Sequence, residues 1–69
     1  MSAISVTVNG EPREVPAGLT LKGLLETLDL DPRKVAVERN LEIAPRSAYD
    51  RIEIEPEDRL EIVQFVGGG

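Results

Sequence analysis

The chain closes on "DRLEIVQFVGGG", and the group with most chemistry to offer is the α-carboxylate on Gly69. Glycine has no Cβ, so Gly67, Gly68 and Gly69 can thread a narrow channel at backbone angles closed to other residues. Three extended residues reach on the order of 10 Å. That distance carries a carboxylate into another protein's active site while the folded body stays outside. A frayed end is the plainer alternative, since termini are commonly disordered. Position favours a role: the glycines directly follow a strongly apolar run with the look of a strand.

Other reactive constellations are missing. The sequence holds no histidine and no cysteine, so its serine, threonine and lysine side chains lack the base that would activate a nucleophile. Glu53, Glu55, Glu57 and Asp58 crowd together and could attract a cation. Alternation instead sets Glu53 and Glu55 outward beside inward Ile52 and Ile54, which reads as a solvated face. Neither glycine-rich phosphate-binding signature occurs, so no nucleotide site is expected on this chain. The expectation is a protein with no catalytic residues, no metal and no cofactor of its own.

Eight basic against thirteen acidic residues leave a net charge of −5. Such a chain repels phosphate backbones, which argues against nucleic acid. Its partners would present basic surfaces, or the charge serves solubility alone. No apolar run approaches the roughly 20 residues that cross a bilayer. The opening "MSAISVTVNG" lacks the basic region of a signal peptide, which predicts a cytoplasmic protein without membrane attachment.

The elements that must position the tail follow from periodicity. Ile4, Val6 and Val8 alternate with Ser5 and Thr7, the pattern of a half-buried strand. Asn9-Gly10 then favours a tight hairpin, and Pro12 and Pro16 restrict the returning "EPREVP" to an edge. Thr20 caps a helix with Leu21, Leu24, Leu25 and Leu28 on one face and Leu19 as a staple, ended by Asp31-Pro32. Gly23 in its first turn either admits a close neighbour or is simply tolerated, and the second reading is preferred. "VAVERN" is a short strand with Val35 and Val37 on one side. "LEIAPRSAYD" reads as irregular, "RIEIEP" as a brief strand, and "LEIVQFV" as the last strand.

A lone helix must lie across a sheet to bury its leucines. The order predicts an α+β fold of the β-grasp, ubiquitin-like kind. Its mixed sheet would have the first and last strands parallel and adjacent, though other α+β rolls also fit. Sixty-nine residues make one domain: 1–66 folded, 67–69 a flexible glycine tail. On the last strand, Leu60 and Ile62 face the core. Val63 and Phe65 take the parity of solvent-facing Glu61, which suggests a docking patch; cover by the loop bearing Tyr49 is the alternative.

The runs "VTVNGE", "LTLKGLLETLDL", "VAVERN", "PRSAYD" and above all "DRLEIVQFVGGG" resemble the sulfur-carrier proteins of thiamin biosynthesis, the ThiS family, along nearly the whole chain. Leu41, where many relatives have glycine, and Tyr49, where tryptophan is frequent, depart from the pattern. The resemblance implies that a ubiquitin-activating-type adenylyltransferase, ThiF-like, uses ATP to adenylate Gly69. A sulfur-donor protein would then supply the sulfur that leaves a C-terminal thiocarboxylate, and a ThiG-like thiazole synthase would consume it. Gly68 and Gly69 would be the reactive tail, Gly67 its extension, and Val63 and Phe65 the docking residues. The chain would act as a co-substrate rather than an enzyme. The small subunit of molybdopterin synthase, a ubiquitin-like modifier and a plain β-grasp interaction module remain alternatives. "QFVGGG" lacks the proline common before the final glycines of the first of these.

Overall fold

A computed structural model describes residues 2–65. The elements run β1 (Ala3–Val8), β2 (Glu11–Pro16), α1 (Leu21–Thr27), β3 (Val35–Arg39), β4 (Glu42–Ile43) and β5 (Arg59–Gln64), with short 3-10 turns at Pro32–Lys34 and Arg46–Ala48. The five strands form one sheet in the order β2-β1-β5-β3-β4. β5 pairs parallel with β1 and antiparallel with β3. First and last strands are therefore adjacent and parallel, as the β-grasp reading requires.

Local chemistry accounts for the first half of the chain. Asn9 and Gly10 both take positive φ, 51° and 83°, so the twist of a two-residue hairpin matches that of its strands. β2, with its prolines, stands at the sheet edge, where a missing N–H does no harm. Thr20 caps α1, its hydroxyl accepting the Gly23 N–H at 3.1 Å. Leu21, Leu24 and Leu25 are buried against Val6, Val35, Val37 and Leu60 in a single core.

Several local details differ from the sequence reading. The helix stops at Thr27, ahead of Asp31-Pro32. Asp29 enters the left-handed region at φ 61°, its N–H reaching Glu26 O and that of Leu30 reaching Leu25 O. That pair of bonds closes a helix by itself, usually around glycine, so the proline arrives after the helix has ended. Gly23 admits a close neighbour, the first of the two readings: a Cβ there would lie 2.6 Å from Leu19 Cδ1, the tip of a side chain that would have to turn aside.

The expected strand at Ile52–Ile54 is a single bridge, Glu53 to Thr20. The Leu21 N–H donates to Ile52 O and the Ile54 N–H to Leu19 O, so this segment tethers the helix start instead of joining the sheet. Ile54 is nonetheless buried, as its parity implied. The fifth strand is β4, inside the stretch read as irregular. It pairs with β3 through Arg39 opposite Glu42, across a turn in which Asn40 and Leu41 have φ of 53° and 73°.

Leu41 is a branched residue held in a left-handed conformation and 80% exposed. Holding an L-residue there costs about 1–2 kcal/mol, with no burial to offset it. Leu41→Gly is expected to stabilise the domain by roughly 0.5–1 kcal/mol after the added freedom of the unfolded glycine. A thermal melt checks this; an unchanged or lowered Tm would show that Leu41 packs where the turn geometry says it does not.

Candidate functional site

The sequence places the reactive tail at Gly67, Gly68 and Gly69, which lie outside the described residues. What the structure describes is the strand that leads to them, and how that strand is held. Near its start β5 enters the core at Leu60, which is fully buried, and it ends exposed at Gln64, with Phe65 exposed just beyond it. Along it Ile62 is half-buried, while Val63 and Phe65 are 60% and 52% exposed. Tyr49 does not cover them, because it is itself buried in the core. Docking patch and covering loop were the two readings; the side chains are open.

The end of β5 is held from both sides. β1 stops at Val8, yet the ladder continues for one more step through Asn9. Its N–H donates to Leu60 O at 2.8 Å. Its carboxamide then behaves like another peptide unit: Oδ1 accepts the Ile62 N–H at 2.7 Å and Nδ2 donates to Ile62 O at 3.2 Å. On the opposite side the Phe65 N–H donates to Lys34 O at 2.8 Å. Arg46 fastens the same corner, donating to Pro32 O at 3.1 Å and Val35 O at 3.3 Å.

These contacts set the direction in which the chain leaves the sheet. Sequence reasoning took Asn9 for a turn residue only, because Asn-Gly is so strong a turn signal that it hides a second use of the side chain. Nothing in the one-dimensional pattern marks Arg46 or Lys34. An open cleft of about 370 Å³ flanks the same strand end, lined by Val8, Asn9, Arg13, Leu28, Ile62 and Gln64.

The start of β5 is organised by Asp58, which the sequence placed in a solvated acidic face. Glu53, Glu55 and Glu57 are indeed exposed, but Asp58 is buried at 4%. Its carboxylate accepts the Arg39 Nε–H at 2.8 Å, the Asn40 amide at 3.0 Å and the Glu55 N–H at 2.9 Å. Its own carbonyl receives the Thr7 N–H at 2.9 Å. Burial pushes the Asp58 carboxyl up. The bonds from Glu55, Arg39 and Asn40 outweigh that push and hold it below the ordinary carboxylate range. Three of the roughly four acceptor sites of the carboxylate are committed to the protein, so this acid fastens β5 to β1 and the β3–β4 turn.

A surface strand hydrogen-bonded on both sides up to Phe65, beside exposed apolar side chains, can present the residues that follow it to another protein. No helix among the described residues is long and apolar enough to cross a membrane.

Comparison with known proteins bears on the family. The model of the ThiS family matches residues 6–69. The sulfur carrier protein ThiS of Bacillus subtilis is 44% identical over 50 residues, which cover 72% of this chain and 76% of that protein. A crystal structure of the thiamine biosynthesis protein (ThiS) from Geobacter metallireducens superposes with a TM-score of 0.82. Its sequence is 35% identical, and the match covers 96% of this chain and 100% of that one. The thiazole synthase of Paramagnetospirillum magneticum is 50% identical over 66 residues, but these form only 20% of its length. The same fraction holds for the thiazole synthase of Magnetococcus marinus, at 44% identity. This chain thus spans about a fifth of each of those relatives. By sequence, by fold and by the match that extends through the terminal glycines, the chain belongs to the ThiS family.

Proposed function

We propose that this chain is a sulfur carrier for the thiazole of thiamin, with the Gly69 carboxyl as the group that is loaded. The observation that carries the reading is the family match through Gly69, together with a β5 anchored up to Phe65 by Asn9 and Lys34. A carboxylate is a poor acyl electrophile. An adenylyltransferase of the ubiquitin-activating type, ThiF-like, would join it to AMP from ATP, releasing pyrophosphate. Hydrosulfide delivered by a donor protein then attacks the acyl carbon, AMP leaves with the C–O bond electrons, and the chain ends in a thiocarboxylate. Where the donor sulfur is a protein persulfide, the acyl disulfide formed first is cleaved by a thiol of a partner, which leaves as the disulfide. Thiazole synthase takes that sulfur. The nucleotide belongs to the activating partner, and this chain is a co-substrate whose own residues dock, reach and carry.

Residues 1–66 form the body under this reading, and 67–69 the reach. Val63 and Phe65 hold the body against a partner while the glycines enter its site. Phe65→Asp is expected to weaken binding to the adenylyltransferase by roughly 10- to 100-fold, as loss of an apolar anchor does, with a melt close to that of the parent. Global unfolding of the variant would instead assign Phe65 to the core.

The pathway is tested by complementation. A bacterium lacking its own thiazole sulfur carrier is expected to grow without added thiamin when it expresses this chain. One lacking the molybdopterin carrier is not expected to recover. The reverse pattern would move the chain to the other pathway, and rescue of neither would remove the carrier role.

A further inference from the structure

The sheet face opposite α1 carries more than Val63 and Phe65. On β4, Ile43 is 75% exposed and stands opposite Glu38 of β3. Glu38 in turn stands opposite Glu61 of β5. Cross-strand partners share a face, so Ile43, Glu38 and Glu61 form one row over three strands, and Ala36 opposite Val63 forms the next. This face has no covering layer among the described residues.

Two like charges directly opposite each other destabilise a sheet. Among the described residues the ion pairs are Arg33–Asp31 and Arg39–Asp58; neither relieves Glu38 or Glu61. Among the described residues, half-buried Glu38 and exposed Glu61 thus form an acidic pair with no ion-pair partner on this face. A cation brought by another protein would remove that repulsion while its aliphatic stem lay along Ile43 and Val63.

We propose that this row receives an arginine or lysine of thiazole synthase, seated between the Glu38 and Glu61 carboxylates. The choice of occupant comes from the relatives. In two proteins named thiazole synthase, a segment like this chain makes up 20% of the length, so carrier and synthase are held within one chain. Such tethering lets a small, polar interface suffice, because the second contact forms at high effective concentration. The net charge of −5 acts in the same sense, steering a basic surface toward the face. The inference deepens the carrier reading and rests on it.

Calorimetric titration of the 69-residue chain into the thiazole synthase of the same organism tests it, at about 50 mM and about 500 mM salt. Glu38→Gln and Glu61→Gln are each expected to weaken the Kd by about tenfold at low salt, with most of the gap closing at high salt. Each should also raise the Tm of the free chain, because the repulsion is gone. Opposite signs for stability and binding separate docking from a structural role. Ile43→Ser should weaken binding at both salt concentrations.

If the parent binds and both glutamine variants bind equally well, the acidic row is not the receptor. If they lose affinity for the adenylyltransferase alone, the occupant is wrong. Failure of the parent to bind thiazole synthase at all would instead strike the carrier reading beneath the inference.

Discussion

Removing Gly68 and Gly69 is expected to abolish sulfur loading while leaving the body folded. The shortened chain still ends in a carboxylate, but that group now lies on the order of 7 Å short of its former reach. Positioning errors of about 1 Å can already cost about 100-fold in rate, so loading by the adenylyltransferase should drop below detection. The core is built from residues between Val6 and Leu60, so the melt is expected to be nearly unchanged. Loading at the parent rate after this deletion would show that the chemistry does not reside at the terminus.

The second large effect concerns the other end of β5. Asp58→Ala removes the acceptor of three hydrogen bonds at once, from Arg39, Asn40 and Glu55. Bonds to an ionised group contribute about 1.5–3 kcal/mol in mutational series. Arg39, partly exposed, recovers some hydration, so the expected loss is about 2–3 kcal/mol. A domain of this size often holds only about 3–5 kcal/mol in all, and Asp58→Ala should melt roughly 10–20 °C lower.

The same carboxylate predicts an acid dependence. Its folded pKa lies below the unfolded value of about 3.9. The stabilisation is therefore present above pH 4 and is lost as the pH falls through the folded pKa. Asp58→Asn should flatten that slope in denaturant titrations between about pH 5 and pH 2. The residual slope would come partly from Asp31, lowered to about 2 by its bonds to Arg33. An unchanged acid slope in Asp58→Asn would place the titrating group elsewhere.

Much of the architecture was legible because it rests on local patterns that have one physical solution. Alternation along β1, the Asn9-Gly10 turn, the Thr20 cap and the leucine stripe each dictated an element, and together they demanded a sheet with one covering helix. The parity of β5 also foretold that Val63 and Phe65 face outward. The failures have a shared cause: tertiary partners, invisible in one dimension, decided the outcome. Ile52 and Ile54 alternate like a strand, but their backbone finds partners at Leu19 and Leu21 instead of in the sheet. β4 was hidden because its turn uses Leu41 where glycine would have announced it. Asp58 looked like one more surface acid until Arg39 and Asn40, 19 and 18 residues earlier, were brought onto it.

The site was legible in a different way. The outward parity of Val63 and Phe65 could be read from the sequence, but the means of holding the strand that leads to them could not; the terminal glycines named with them lie outside the described residues. Asn9 acts on Ile62 across 53 residues of chain, a contact that no periodicity encodes. The acidic row of Glu38 and Glu61 needs the β3–β5 register before it exists at all.

The central claim is that Gly69 carries sulfur, and intact-mass spectrometry reads it directly. The purified chain is incubated with its adenylyltransferase, ATP and a sulfur source, then weighed and fragmented. The account predicts a product in which one oxygen is replaced by sulfur, with the change confined to the C-terminal residue and dependent on ATP. An unchanged mass under conditions where the adenylyltransferase loads a ThiS protein of its own organism, or sulfur located anywhere but Gly69, would contradict it.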